Sequence, residues 1–256
     1  MKLNILSDLH LGFCGLDTPR DDANLVHPMP SPVSEKPPLP NARRGQPGGD
    51  AKARIAPPSA DALERLLSEV RRCTICTPHL PQAPRPVLQA GSTARILIAG
   101  QAPGRRVDRS GIPFDDPSGD RLRGWMGVDS KTFYDPNTIA LLPMGFCYPG
   151  TGTSGDLPPR PECAAAWRAR LLDQMSHVEL VLVIGRYAQV WHLKQAARAT
   201  LTETVRAWRE HGPRLIPLPH PSPRNNRWLR RNPWFEEEVL PPLRERVAAL
   251  TVRARA

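Results

Sequence analysis

The sequence predicts an α/β fold in three layers, with helices on both faces of a central, mostly parallel four-stranded sheet. Short apolar runs at 95–99, 139–144, 180–184 and 215–218 read as strands, and helical patterns lie between them at 119–126, 162–175, 187–192 and 201–210. Strands spaced this way need crossover helices, which make the strands parallel and cover the sheet on both sides. Ligands of such sheets bind beyond the carboxyl ends of the strands. Two unusual loops, Gly100-Gln101-Ala102-Pro103-Gly104 and His220-Pro221-Ser222-Pro223-Arg224-Asn225, follow the first and last runs and so fall at that edge.

Taken in chain order, residues 1–17 open with a short apolar run that ends in Asp8 and His10, a pair able to ligate metal. Residues 1–12 resemble the opening motif of calcineurin-like metallophosphoesterases. The later Gly-Asp and Gly-Asn-His segments that finish such a two-metal site are missing, and one carboxylate with one imidazole cannot hold two catalytic metals. The expectation for 1–17 is therefore a remnant, a fusion scar or a start site placed too far upstream. Residues 18–58 are rich in proline, glycine, serine and charge without a sustained period, the composition of a flexible linker. The folded domain is expected over 59–252. It starts with Ser59 capping a helix over 60–72, where Leu63, Leu66, Leu67 and Val70 form one stripe, and it closes with a helix over 234–250.

A length of 256 residues allows one substantial domain or two small ones. The net charge of +10, with arginine far outnumbering lysine, attracts a polyanion such as DNA or RNA if it gathers on one face. No apolar run is long enough to cross a bilayer and no signal-peptide pattern opens the chain. With its thiols reduced, the expected state is a cytoplasmic monomer without a membrane partner.

Four cysteines divide into a close pair, Cys73 and Cys76, and a wide pair, Cys147 and Cys163. A Cys-x-x-Cys turn lets two thiolates face one metal centre, and a second pair brought alongside completes four-sulfur ligation of zinc or of an iron-sulfur cluster. Disulfides are the poorer reading, because Cys14 would be left over. Small, buried apolar cysteines are the remaining alternative.

In the first loop, glycines permit positive φ and close backbone approach to a ligand. Phe114, in Gly111-Ile112-Pro113-Phe114, offers a flat face for stacking. The loop lacks the Lys-Ser or Lys-Thr of a P-loop and the Gly-x-Gly-x-x-Gly of a dinucleotide fold, which disfavours nucleoside triphosphates and NAD. In the second loop two prolines stiffen the turn, and His220 can donate a hydrogen bond into the site. Arg224, Arg227 and Trp228 can meet phosphates and bases, although a solvated loop with Trp228 packed on the last helix fits the same residues.

Gly-Gln-Ala-Pro-Gly, Gly-Ile-Pro-Phe and His-Pro-Ser-Pro-Arg-Asn, in this order and with the four cysteines, resemble the uracil-DNA glycosylase superfamily over about residues 60–250. The cysteine spacing is similar to that of the iron-sulfur branch, family four, and the second loop to that of the single-strand-selective monofunctional branch. The resemblance implies a 4Fe-4S cluster held by Cys73, Cys76, Cys147 and Cys163, ahead of zinc. It also implies a monofunctional DNA glycosylase of base excision repair, which flips a damaged base, uracil first, out of single- or double-stranded DNA and hydrolyses its glycosidic bond. By the same resemblance, Gly100, Ala102, Phe114 and the Pro143 position line the base pocket. His220 stabilises the departing base, and Ser222, Arg224, Asn225 and Arg227 hold the DNA.

Two departures qualify this. Where family four has an acidic residue in the first loop, this chain has Gln101, which can orient a water but cannot take its proton; the general base expected from sequence is Asp108, unless water is only weakly activated. Where related enzymes place an asparagine that reads the uracil edge, four residues before the third cysteine, this chain has Pro143. Hypoxanthine, xanthine or a modified pyrimidine therefore competes with uracil. A DNA-binding or lesion-sensing module that has lost efficient chemistry is the alternative function.

Overall fold

The computed structural model describes residues 60–153 and 155–252. The Asp8–His10 motif, the 18–58 segment and the Ser59 cap lie outside the described residues. In chain order the elements are α1 (Ala60–Arg71), β1 (Ile96–Ala99), α2 (Arg105–Ser110), α3 (Pro117–Met126), α4 (Ser130–Phe133), β2 (Ile139–Leu141), and a hairpin of β3 (Thr151–Gly152) and β4 (Gly155–Asp156). There follow α5 (Pro161–Cys163), α6 (Ala169–Asp173), β5 (Leu180–Ile184), α7 (Gly185–Leu193), α8 (Leu201–Arg206), α9 (Trp208–His211), β6 (Leu215–Leu218), α10 (Asn226–Arg231) and α11 (Leu240–Val252).

The four long strands form one parallel sheet in the order β2-β1-β5-β6. Both faces are apolar, as the period of two demands. Ile96 and Ile98 of β1 pack with Leu122, Phe133 and Val247 on one side, while Leu97 between them packs with Leu63, Leu67 and Leu171 on the other. The α1 stripe Leu63, Leu66, Leu67 and Val70 is buried against that second face. The chain moves outward from β1 to β2 and then returns across β1 to β5, so the order reverses between β1 and β5. The crevice outside their carboxyl ends is where such sheets bind ligands. The opposite edge is fastened by Arg95, which donates to Glu179 Oε1 from Nε at 2.8 Å and to the Leu250 carbonyl at 2.9 Å.

Several elements differ from the sequence reading. The second strand ends at Leu141 instead of running to 144, because Pro143 has no N–H for a ladder and the carbonyls of Leu142 and Pro143 are taken by Arg168 at 3.0 Å each. The 162–175 helix contains a π turn at Ala164–Arg168 between α5 and α6. The 201–210 helix is two pieces, α8 and α9, and begins with a capping box between Thr200 and Glu203. Before α11 comes a further π turn, Phe235–Val239. The 148–159 segment carries the β3–β4 hairpin. Among the described residues no helix is long and apolar enough to cross a membrane.

Candidate active site

The first loop leaves β1 at Gly100 and runs into α2. It is stitched to the segment after β2 by the Met144 N–H to Gly100 carbonyl and the Gly145 N–H to Gln101 carbonyl, at 2.9 and 3.0 Å. Phe114 returns over this loop in the left-handed region, φ 56°, and its ring would stand 3.4 Å from a Cβ built on Gly100. A Cβ on Gly119 would lie 1.8 Å from the Phe114 carbonyl oxygen, so only glycine lets α3 start beneath Phe114. Asp116 caps that helix, accepting from the Gly119 N–H at 2.9 Å. Gly100, Ala102, Phe114 and Pro143 thus gather at the carboxyl ends of β1 and β2, with Pro143 buried and Ala102 half-buried.

Asp108 is on α2, buried, with its carboxylate accepting from Gln82 Nε2 and its backbone carbonyl accepting from Arg85 at 2.6 Å. Gln101 is held by the neighbouring hairpin: its Nε2 donates to the Leu157 carbonyl at 3.3 Å. The same hairpin brings in a carboxylate that the sequence reading missed. Asp156 Oδ2 lies 3.4 Å from the position of a Cβ on Gly104, and Asp156 acts on His220 together with Asp116.

His220 follows β6. Its Nδ1 accepts the Ser222 N–H at 3.2 Å, its backbone carbonyl accepts from Asn225 Nδ2 at 2.8 Å, and burial pushes the imidazole below its usual range. Asp116 and Asp156 oppose that shift and Arg224 adds to it. A neutral ring with Nδ1 accepting carries its proton on Nε2, so His220 is a neutral donor. The Cδ2 edge of the ring stands 4.0 Å from the position of a Cβ on Gly185, at the end of β5, where φ is +78°. The donor therefore belongs to the crevice at the strand-order reversal. Ser222 receives the Arg224 N–H at 3.3 Å, and Arg224, Arg227, Arg230 and Arg231 are exposed. Arg121 of α3, also missed from sequence, donates to the carbonyls of Pro221 and Ser222 and to Asn226 Oδ1, and so pins the second loop. Trp228 is a packing residue: it contacts Trp234 and Phe235 edge-on and donates to Thr202 Oγ1 at 2.8 Å.

On the α1 side of the sheet, Cys73, Cys76, Cys147 and Cys163 line one small cavity, with Pro84, Pro86 and Trp167 around them. All four are free thiols. Each has an N–H group directed at it. Trp167 Nε1 donates to Cys73 Sγ at 3.2 Å and the Phe146 amide to Cys163 Sγ at 3.3 Å, while the Arg160 guanidinium faces Cys76 and the Arg85 amide faces Cys147. Burial raises Cys147 to about 11 and Cys163 to about 12, so without a cationic centre these sulfurs stay protonated. Among the described residues no three His, Cys, Asp or Glu side chains are grouped to hold a single metal ion.

Two comparisons bear on this arrangement. The family model of the uracil DNA glycosylase superfamily matches residues 88–244, more than half of the chain and both loops. The chain belongs to the uracil-DNA glycosylase superfamily. It is similar to the type-4 uracil-DNA glycosylase of Thermotoga maritima, with 25% identity over 169 residues, covering 63% of this chain and 82% of the relative. The superfamily's α/β fold with a parallel sheet is the one seen here, and the protein is a DNA glycosylase, a DNA-repair enzyme whose substrate is DNA.

One further group joins the cysteine cavity of this glycosylase to its crevice. Arg168 is 1% exposed, and its guanidinium donates to the carbonyls of Leu142 and Pro143, faces His192 Nε2 at 2.7 Å and lies 5.0 Å from the Trp191 ring centre. Among the described residues it forms no ion pair, and its Nε has no partner. No composition or period marks it: in sequence it is one arginine among many on a helical pattern.

Proposed function

We propose that this glycosylase is monofunctional, that uracil is its first substrate, and that His220 stabilises the departing base. The observation that carries the reading is the Ser222 N–H on His220 Nδ1, which leaves Nε2–H free to donate at the carboxyl edge. Hydrolysis of the glycosidic bond sends an electron pair onto the base. A neutral donor aimed at the base oxygen gains strength as that charge develops, which lowers the barrier more than it stabilises the ground state. Phe114 stacks on the flipped base over Gly100 and Ala102, and Ser222, Arg224, Asn225 and Arg227 hold the strand open.

A 4Fe-4S cluster on Cys73, Cys76, Cys147 and Cys163 fits the donor set: four soft sulfurs in one cavity, each met by an N–H group suited to a thiolate. A tetrahedral zinc with Zn–S near 2.3 Å draws sulfurs to about 3.8 Å from one another. A cluster would be held by one thiolate from each of the four cysteines. Its contribution is mechanical, clamping the end of α1 to the segments after β2 and around α5. Reduced thiols and the absence of a described membrane-crossing helix favour a cytoplasmic protein, and we take it to act as a monomer.

A second reading, a base other than uracil, is favoured by Pro143: it has no side-chain amide and its carbonyl is committed to Arg168. Mass spectrometry of bases released by anaerobically purified protein tests both, on single- and double-stranded oligonucleotides carrying uracil, hypoxanthine, xanthine or modified pyrimidines. Free uracil with an alkali-labile abasic site is the expected result. Release of another base alone replaces uracil in the proposal, and lesion binding without any release contradicts the roles given to His220.

A further inference from the structure

Hydrolysis by water needs a group that takes the water's proton, and Gln101 cannot. Of the carboxylates near the first loop, Asp108 is buried and engaged by Gln82, and Asp116 is engaged as the cap of α3. Asp156 differs. Its hairpin bridges the two loops. Gln101 Nε2 holds the Leu157 carbonyl, Asp156 Oδ2 approaches Gly104, and a Cβ on Gly155 would stand 2.7 Å from Arg224 Nη1. The side chain is exposed, and it accepts a long hydrogen bond, 3.5 Å from Thr151 Oγ1 to Oδ1. A carboxylate on a face that must receive DNA phosphates opposes binding, so a structural role alone does not account for its position.

We propose that Asp156 is the proton acceptor of the hydrolytic water, with Gln101 as the positioning residue that anchors its hairpin. The inference rests on the role given to His220. The water oxygen bonds to the sugar C1′, its proton passes to an Asp156 carboxylate oxygen, and the C1′–N bond breaks with its electron pair leaving on the base. The base anion is held by His220 Nε2–H and later takes a proton from solvent. The carboxylate that the first loop lacks is thus supplied by a different loop, which Gln101 holds in place.

Single-turnover base release at saturating enzyme tests this with Asp156→Asn, Asp156→Glu and Thr151→Val, alongside DNA affinity. Asp156→Asn is expected to slow release by ~10²–10⁴-fold with affinity unchanged or tighter. Asp156→Glu is expected to restore part of the rate, and Thr151→Val, which removes the hairpin bond, to stay near wild type. Equal rates for Asp156→Asn and wild type overturn the assignment alone, as does a Thr151→Val variant as slow as Asp156→Asn, which reduces Asp156 to hairpin support. A wild-type protein that releases no base from any lesion overturns the reading of His220 as well.

Discussion

The cysteine cavity and the carboxyl edge of the sheet are built in opposite ways. Around the cysteines half of the donors are fixed by backbone: the Phe146 and Arg85 amides come with the chain path, and Cys76 and Cys163 are 8% exposed. At the carboxyl edge the chemistry sits on half-buried or exposed side chains from separate loops, with Asp116, Asp156 and Arg224 each acting on His220. The first arrangement holds its geometry at the cost of exchangeability, and the second can be retuned by changing a single loop residue. The proposed use of Asp156 from the hairpin beside Gln101 would be such a change.

The sharpest way to break this division is at Arg168, whose guanidinium touches the segment that leads from β2 to Cys147. Arg168→Met leaves two buried carbonyls without their charged donor and is expected to destabilise the fold by about 3–5 kcal/mol, read as a lowered denaturant midpoint. A neutral effect would mean that the two regions are independent. Next in size, His220→Ala is expected to slow turnover by ~10²-fold or more, about 2.7 kcal/mol at the transition state, while leaving DNA affinity in place. Loss of affinity with unchanged turnover would move His220 from the chemistry to binding.

Two smaller effects refine the contrast. Arg224→Ala with Arg227→Ala is expected to reduce the salt dependence of duplex binding by ~1.8 in slope, since each lost phosphate contact removes ~0.9; an unchanged slope excludes both from the phosphates. His192 reports on the interior: burial first, and then Arg168, push it down from 6.5 to about 3. The unfolded chain therefore binds a proton that the folded protein excludes between those values. The stability associated with a neutral His192 is full above 6.5 and is lost as the pH falls toward about 3. His192→Gln is expected to flatten that acid dependence of the melting temperature.

The fold was largely legible because its signals are local. The runs at 180–184 and 215–218 match β5 and β6 residue for residue, and α1 was visible in its apolar stripe. Motif order placed the two loops at the correct edge. What escaped depends on contacts distant in sequence. The 139–144 run was read straight through Pro143, whose missing N–H ends β2, and Arg168, the partner of its carbonyl, lies 25 residues away. Asp156 sits on strands of two residues, too short for any period, and reaches the site through Gln101, 56 residues from its partner Leu157. Asp108 looked available from its place beside the first loop, whereas the turn of α2 directs it to Gln82.

Single-turnover base release by His220→Ala and Trp167→Phe, measured side by side at a temperature where both are folded, tests the division most directly. Trp167→Phe removes the Nε1 donor to Cys73 at the cavity and is expected to cost about 1 kcal/mol of stability. The prediction is a release rate within about twofold of wild type for Trp167→Phe and ~10²-fold below it for His220→Ala. The reverse, a slow Trp167→Phe and a normal His220→Ala, would put the chemistry at the cysteines and contradict the assignment of the active site to the carboxyl edge.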